Sequence, residues 1–435
     1  MKNPGFTQSR PLNTQDIRTL ILSAFGGMLE FYDFVVFIFF AKIIGEHFFP
    51  PTLDSFWASI NTYGTFAVGF LVRPIGGMIM AHFGDLFGRK KMFFLSIVLM
   101  VFPTLAIGLL PTYNQIGYLA PVLLLLVRIL QGFAIGGEIP AAWVFVAEHV
   151  PKNRIGLADS MITASLSLGV LLGSAITLYI NTVFSPEDIF NGAWRYPFIL
   201  GGAFGIITIF LRRYLKETPV FIEMKEKKTL SEKIPLQKIF QSHLPDISIS
   251  LLLTWIFTGC SILLTLMIPN LMSDFFNIPR KDAITMQSYT LITISLGAVL
   301  GGIWCDKKEA GKMLIFWSIC LGICSWFFLQ KLINMQPEGI SILYAITGLF
   351  AGGILGCIPY IMVHRFPPAV RISGISFSYN LGQAIFGGIT PIIIVLMAKE
   401  YPKGILFYVL FLAALGCYLG LRSAFKNKNS SRKAL

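Results

Sequence analysis

The chain has 435 residues, of which 55% are hydrophobic and only 13% are charged, and its mean hydropathy is +0.70. A soluble domain carries about 25% charged residues, so this composition excludes an ordinary soluble enzyme, a disordered protein and a secreted disulfide scaffold. The net charge of +13 would suggest nucleic acid binding in a soluble protein, but the placement of the basic residues here indicates membrane topology.

Twelve apolar stretches are each long enough to cross a membrane as a helix, which takes about 20 residues. In chain order they span residues 17–43, 55–81, 91–110, 116–147, 156–181, 194–212, 246–272, 284–304, 312–331, 339–364, 372–398 and 403–423. The longest polar stretch lies between the sixth and the seventh. We therefore predict a six-helix half over 1–212, a cytoplasmic central loop over 213–245, a second six-helix half over 246–424 and a cytoplasmic tail over 425–435. No cleavable signal peptide is expected, because the first residues are polar and the following apolar run is too long.

The basic residues are distributed unequally between the two sides of the membrane. If the N-terminus lies in the cytoplasm, 26 of the 35 Lys and Arg residues fall in cytoplasmic segments and seven in outside segments. Cytoplasmic loops carry an excess of basic residues, so both termini are predicted to be cytoplasmic. The expected location is the inner membrane of a bacterium.

The two halves share three sequence patterns at nearly one offset. Gly132-x3-Gly136-Gly137 returns as Gly348-x3-Gly352-Gly353, Pro151-x2-Arg154 returns as Pro368-x2-Arg371, and Asp85 corresponds to Asp306. Each pair occupies the same helix number in its half, which predicts two parallel six-helix repeats. This is the architecture of one large class of secondary transporter.

The polar segment 84–91 connects the second and third apolar stretches. Its glycines, Gly84 and Gly88, allow a tight turn between antiparallel helices. Asp85 stands where it can meet a cation or the positive N-terminus of a neighbouring helix. We interpret the segment as a latch that breaks and re-forms as the halves move. The alternative is a basic loop that only sets the topology.

This segment resembles the signature loop of the major facilitator superfamily. Arg128-x2-Gln131-Gly132 and Glu148-x2-Pro151-x2-Arg154-x-Gly156 are similar to two further motifs of that superfamily. The resemblance implies a cytoplasmic charge network, to which it assigns Asp85, Arg89, Glu148 and Arg154, with Arg212, Arg213 and Glu217 in the matching element after the sixth helix. The second-half loop, Asp306-Lys307-Lys308, lacks the Gly-Arg part of the pattern, so a weaker latch is expected there.

A narrower resemblance is to the metabolite:proton symporter branch, which includes permeases for 2-oxoglutarate, citrate, shikimate and proline/betaine. The similar segments lie in the first, second, fourth and eleventh helices: Leu29–Phe34, Arg73–Gly77, Arg128–Glu138 and Tyr379–Pro391. The resemblance implies a proton-coupled carrier and leaves the exact permease open.

Four charged side chains lie near the middle of predicted membrane helices, namely Glu30, Asp33, Arg73 and Arg128. A charge at that depth costs several kcal/mol and marks a pathway or a partner. Glu30 and Asp33 share a helix face, and two carboxylates that close repel each other, so a change of protonation at one of them can couple transport to protons. Arg73 can hold either acid or bind a substrate carboxylate. The alternative is a fixed ion pair, such as Asp33 with Arg73.

The second half offers polar and aromatic groups at this depth instead of charges. The predicted substrate-binding residues are Arg73, Arg128, Tyr32, Tyr379, Asn380 and Gln383, and the last two can face one cavity because they are three residues apart. Glu138 is predicted to be a gate or interface residue. The six cysteines have no metal-type spacing, so neither a metal nor a cofactor is expected.

The predicted fold is an all-α membrane protein with twelve transmembrane helices in two pseudo-symmetric halves, the major facilitator fold. We expect proton-coupled import of a small hydrophilic metabolite by alternating access, and not an enzyme. Two arginines favour an organic acid or polycarboxylate, including a carboxylate metal chelator, while zwitterions such as proline remain open. The short tail lacks the coiled coil of some osmosensing betaine permeases, which disfavours that role.

Two alternatives remain: an exporter of a drug or metabolite on the same fold, and a non-transporting membrane sensor. The expected partners are a small-molecule substrate, protons and the lipid bilayer, without nucleic acid, and the expected state is a monomer. The basic segment 213–245 is expected to meet anionic lipid headgroups.

Overall fold

The computed structural model describes residues 7–53, 55–227, 235–336 and 338–432, and helices make up most of them. Twelve of these helices are long and apolar enough to cross a membrane, as predicted. They are α1 (Thr14–Phe39), α2 (Ser55–Phe87), α3 (Arg89–Leu109), α4 (Leu119–His149), α5 (Ile155–Val183), α6 (Tyr196–Arg212), α7 (Leu244–Asp274), α8 (Arg280–Lys307), α9 (Ala310–Ile333), α10 (Ile340–Arg365), α11 (Arg371–Glu400) and α12 (Lys403–Arg432).

Local signals explain where several of these helices begin. Asn13 and Asp16 form a capping box at the start of α1, in which each side chain accepts a hydrogen bond from the other residue's backbone N–H, at 2.8 and 2.9 Å. Gly88 separates α2 from α3 with a φ of 121°, a conformation that a side chain would disfavour. The expected tight turn therefore forms at the predicted glycine.

The structure differs from the predicted stretches at three places. The first stretch, 17–43, divides at Phe40 into α1 and a short helix, Ala41–Phe48. The central loop contains two short helices, Pro219–Glu226 and Pro235–Ser242. The last membrane helix continues to Arg432, so most of the predicted tail is helical.

The two halves use the same helix pairs, as the internal repeat predicts. In the first half α1 packs on α5, α2 on α4 and α3 on α6, and in the second half α7 packs on α11, α8 on α10 and α9 on α12. Glycines allow the α2–α4 and α8–α10 backbones to touch. A methyl group at Gly132 would overlap the Gly69 carbonyl, and one at Gly352 would overlap the Ile294 carbonyl.

The first and the last parts of the described chain lie at one end of the bundle, which we call the termini end. The Thr7 hydroxyl donates a hydrogen bond to the Val150 carbonyl after α4, and Arg365 at the end of α10 donates one to Ser423 on α12 at 3.0 Å. Near this end the halves meet along a surface that we call the seam, where α5 packs on α8 and α10, and α11 packs on α2 and α4. The seam therefore closes the bundle between its centre and the termini end.

Candidate functional site

A cavity lies between the two halves, above the seam. The space between the lining residues is about 780 Å³ when the open mouth of the cavity is included. Side chains of α1, α2, α4 and α5 line it from the first half, and side chains of α7 and α11 line it from the second. The predicted residues Glu30, Asp33, Arg73, Arg128 and Gln383 all line this cavity.

Glu30 on α1 and Arg73 on α2 form a buried ion pair. Arg73 donates a hydrogen bond to one carboxylate oxygen of Glu30, while the other oxygen, Oε2, is buried without a hydrogen-bond partner among the described residues. The Arg73 guanidinium also lies 4.9 Å from the centre of the Phe70 ring, within the range of a cation–π contact. One acid therefore holds one arginine through a single oxygen.

Asp33 and Arg128 form a second pair through an intermediate glutamine. The Gln131 amide donates to Asp33 Oδ2 at 2.6 Å, and its carbonyl accepts from Arg128 at 2.5 Å. The direct distance between the Arg128 nitrogen and Asp33 Oδ2 is 3.7 Å. Phe37 faces the Arg128 guanidinium at 4.0 Å. The acids thus pair with different arginines, and the possible Asp33–Arg73 pair is not formed.

The second half contributes neutral groups to the cavity wall. Thr258, Ser261 and Thr265 face it from α7, and Gln383 faces it from α11. Part of α7, Leu263–Met267, is a π-helix, a local form that often occurs at functional sites. The expected division is therefore observed among the lining residues: charges come from the first half and neutral polar groups from the second.

The other three predicted substrate-binding residues lie outside the cavity lining. Tyr32 donates its hydroxyl to the Pro197 carbonyl on α6 at 2.7 Å. Tyr379 lies behind the cavity wall, with its ring 5.8 Å from that of the lining residue Phe257. Asn380 donates to the Gly136 carbonyl on α4 at 2.7 Å, so it joins the two halves at the seam. Their contact with a substrate stays a prediction.

Buried charges connect the halves at the termini end. Arg89 donates to Glu148 Oε2 at 3.2 Å, and Arg371 of the second half donates to Glu148 Oε1 at 2.9 Å. Thr218 donates its hydroxyl to the same Glu148 Oε2 at 2.8 Å. Arg89 also donates to the Pro368 carbonyl at 2.6 Å. Three of the four residues assigned by resemblance, Asp85, Arg89 and Glu148, meet in this cluster.

Two aspartates bind helix N-termini across the seam. Asp85, at the end of α2, accepts hydrogen bonds from the Ser373 backbone N–H at 3.0 Å and from the Ser373 hydroxyl at 2.8 Å, at the start of α11. Asp306, at the end of α8, accepts from the backbone N–H groups of Gly156 and Leu157 at 2.6 and 2.9 Å, at the start of α5. The contact of Asp306 forms although the Gly-Arg pattern is absent, because backbone N–H groups act as the donors.

The remaining predicted network residues act within the first half. Glu138 on α4 forms a buried ion pair with Arg212 on α6 and accepts a hydrogen bond from Ser96 on α3. Glu217 accepts from the Lys90 backbone N–H at 3.1 Å and so binds the start of α3. Arg154 forms no ion pair with the residues that the structure describes.

Arg371 and Gln131 are among the contributors to these clusters that sequence reasoning missed. Arg371 occupies in the second half the repeat position of Arg154 and makes the ion pair that Arg154 lacks, so the repeat was the available signal. Gln131 was noted as part of a motif, but its bridging position requires knowledge of how α1 and α4 are rotated. The described residues contain no cluster of three or more metal-ligating side chains.

Comparison with known proteins identifies the family. The family model described as "Sugar (and other) transporter" matches residues 19–256. A putative proline/betaine transporter of Staphylococcus aureus (strain COL) is 29% identical over 421 residues, which cover 95% of this chain and 90% of that protein. An inner membrane metabolite transport protein of Escherichia coli (strain K12) is 29% identical over 418 residues, covering 94% and 92%.

The fold has solved counterparts as well. The structure of the major facilitator superfamily proton:xylose symporter XylE bound to 6-bromo-6-deoxy-D-glucose matches with a TM-score of 0.76 at 15% identity, covering 94% of this chain and 95% of that one. These matches confirm the predicted superfamily and the predicted twelve-helix fold. The chain belongs to the sugar (and other) transporter family of the major facilitator superfamily, and it is a membrane transporter rather than an enzyme.

Proposed function

We propose that this transporter imports a small zwitterion of the proline/betaine kind together with protons. The observation that carries the proposal is the charge balance of the cavity, where two buried acids each pair with one arginine. A solute that carries one carboxylate and one cationic group can exchange partners with such pairs without leaving a net charge inside the membrane. The printed name of the Staphylococcus aureus relative, a putative proline/betaine transporter, supports the same class.

The cavity offers complementary partners to both ends of such a solute. A guanidinium group binds a carboxylate strongly. Two guanidinium groups, those of Arg73 and Arg128, line the cavity and can bind the carboxylate of the solute. Phe31, Phe34 and Phe257 also line the cavity, and aromatic faces attract quaternary ammonium groups. Thr258 and Ser261 add hydroxyl groups for orientation.

Proton coupling follows from competition for the arginines. Glu30 holds Arg73 through one oxygen and leaves the other without a hydrogen-bond partner among the described residues. When Glu30 takes up a proton, its attraction for Arg73 weakens, and the guanidinium becomes available to the solute carboxylate. Asp33 provides a second protonation site of the same design, because its Oδ1 is buried without a partner in the described part of the chain.

Opening and closing of the seam is the conformational change that the proposed transport requires. In the structure the seam is closed, and the acidic contacts at Asp85 and Asp306 hold it. We assign the termini end to the cytoplasm of a bacterial cell, in agreement with the excess of basic residues there. Import then requires the seam to open after the solute and proton have entered from the opposite end.

A second candidate substrate is an organic acid. If Glu30 and Asp33 were both protonated, two arginines would face the cavity without their acidic partners, and a dicarboxylate or a carboxylate chelator would match that charge. The two candidates therefore differ in the net charge of the solute that the arginines bind.

Uptake into proteoliposomes tests the proposal. We expect proline or glycine betaine to accumulate when the lumen is made alkaline, and the accumulation to collapse when an ionophore removes the proton gradient. Glu30→Gln should abolish accumulation, whereas Glu400→Gln, a matched change at an exposed acid, should not. Accumulation of citrate or succinate with two protons would favour the second candidate. Failure of every solute to move would favour the sensor, and gradient-driven efflux would favour the exporter.

A further inference from the structure

Asp159 on α5 is a buried acid that the proposed transport mechanism does not use. Its exposed fraction is 0%, and neither carboxylate oxygen has a hydrogen-bond partner among the described residues. An ionised carboxylate that lacks both water and hydrogen-bond donors is strongly disfavoured. The position is well separated along the sequence from Glu30 and Asp33, and it is absent from the cavity lining.

The position of Asp159 ties it to the seam. Gly156, three residues earlier on α5, packs so closely on α8 that a methyl group there would overlap the Gly302 carbonyl. A methyl group at Gly302 would also overlap the side chain of Ser160, the residue that follows Asp159. Residues three and four apart share a helix face, so Asp159 lies beside the face on which the halves meet. Asp159 is therefore closed off from water while the halves are in contact, and separation of the seam would expose it.

The titratable and charged groups near Asp159 come from three helices of the second half. From α8 the carboxylate of Asp306 repels it and Cys305 lies close, from α10 Tyr360 lies close, and from the start of α11 Arg371 attracts it. Arg371 is already paired with Glu148 at 2.9 Å. From α1, α4 and α6 no charged group among the described residues acts on it.

We propose that Asp159 is a proton-binding site of the seam, which holds a proton while the termini end is closed and releases it to that end when the halves separate. In the closed state the neutral carboxyl avoids an unsolvated charge beside Asp306. When the seam opens, water enters, the O–H bond of the carboxyl breaks and the proton passes to that water. Alkaline conditions at the termini end therefore favour the open seam, and acidic conditions favour the closed one.

This site is independent of the solute and of the cavity acids. It requires only that the two halves separate at the termini end, so an experiment without any solute can test it. A negative result for Asp159 would not affect the proposed substrate class, and a different substrate would not affect the proposal for Asp159.

Distance measurement across the seam tests the proposal in the full chain. Spin labels on Asn153→Cys and Lys308→Cys, both exposed at the termini end, report the separation of α5 and α8 in a background with the six native cysteines replaced. In nanodiscs between pH 5.5 and 8.5, we expect the ratio of open to closed populations to rise with pH. Linkage to one proton limits the rise to about tenfold per pH unit.

Two variants separate Asp159 from its neighbour. Asp159→Asn keeps the shape and removes the charge, so the open population should stay low and independent of pH. Asp306→Asn removes the charge and one of the two acceptor oxygens that bind the start of α5. The open population should therefore increase at all pH values while the pH dependence remains. Asp159→Ala repeats the test if the amide variant folds poorly.

The proposal fails if the wild-type distances do not change with pH, a result that needs no variant. It also fails if Asp159→Asn retains the wild-type pH dependence. If Asp306→Asn loses the pH dependence and Asp159→Asn retains it, the proton-binding residue is Asp306.

Discussion

Arg371 of the second half donates a hydrogen bond to Glu148 of the first half at 2.9 Å, and both side chains are buried. The same carboxylate accepts from Arg89, at 3.2 Å, and from Thr218, at 2.8 Å. One acid of α4 therefore holds the second half against the first, and the contact must break whenever the seam opens. Because it is a contact between the halves, its strength sets part of the balance between the open and closed seam.

Arg371→Gln should destabilise the closed seam. Removing one partner of a buried ion pair costs about 3–5 kcal/mol, and here that cost falls on the closed state alone. We expect a larger open population in the spin-label measurement and a transport rate reduced by at least about tenfold. Arg365→Gln is the matched control, because Arg365 pairs with Asp246 inside the second half at 3.2 Å. An equal effect of both variants on the seam would contradict the assignment.

Gly302→Ala should obstruct closure of the seam. The added methyl group would overlap the Gly156 carbonyl and the Ser160 side chain, and overpacking of this kind costs about 1–3 kcal/mol. The α5–α8 distance should therefore shift toward the open population. Gly322→Ala is the control, since its methyl group would lie 3.5 Å from Ala413, an ordinary contact. Normal closure of the seam in Gly302→Ala would contradict this prediction and would show that α8 can shift to accommodate the methyl group.

The order and extent of the helices could be predicted from the sequence because hydropathy and length determine a membrane helix locally. The internal repeat also predicted two equivalent six-helix halves, and Asp306 was found through its correspondence to Asp85. A weaker contact was expected at Asp306, because the second-half loop lacks the Gly-Arg part of the motif. The structure instead uses the backbone N–H groups of Gly156 and Leu157 as donors.

The partners of buried side chains could not be predicted in the same way. Asn380 and Gln383 are three residues apart, yet Gln383 lines the cavity and Asn380 contacts the Gly136 carbonyl. A rotation of about 60° separates two such positions on a helix, as 3.6 residues make one turn, and that angle decides which side chain faces the cavity. Gly136 permits the contact, because it has no side chain between the α4 backbone and α11.

Gln131→Ala should weaken the second acid–base pair of the cavity. The change removes the donor to Asp33 at 2.6 Å and the acceptor from Arg128 at 2.5 Å. Loss of a hydrogen bond to a buried charged group costs about 1–3 kcal/mol, so the KM for the solute should rise about tenfold. Gln287→Ala serves as the control, because Gln287 donates to the Thr265 backbone carbonyl, a neutral acceptor. A similar KM in both variants would show that Gln131 does not contribute to binding of the solute.

Asp33→Asn should abolish proton-driven accumulation while exchange of solute across the membrane continues. The amide resembles the protonated acid in shape and carries no charge, so Arg128 loses its ionic partner permanently while the solute can still bind. Without a titrating group at this position, however, binding no longer responds to the proton gradient. Counterflow in proteoliposomes measures the exchange, and uptake against a solute gradient measures the coupling.

Comparison with Glu30→Gln then identifies the acid that carries the proton. If Glu30 alone couples, Asp33→Asn should still accumulate solute and Glu30→Gln should only exchange it. If both acids couple, each variant should lose accumulation and the number of protons per solute should be two in the wild type. Asp188→Asn, a change in the short helix Pro186–Asn191, controls for altered surface charge. Normal accumulation in both cavity variants would mean that neither acid takes part in proton coupling.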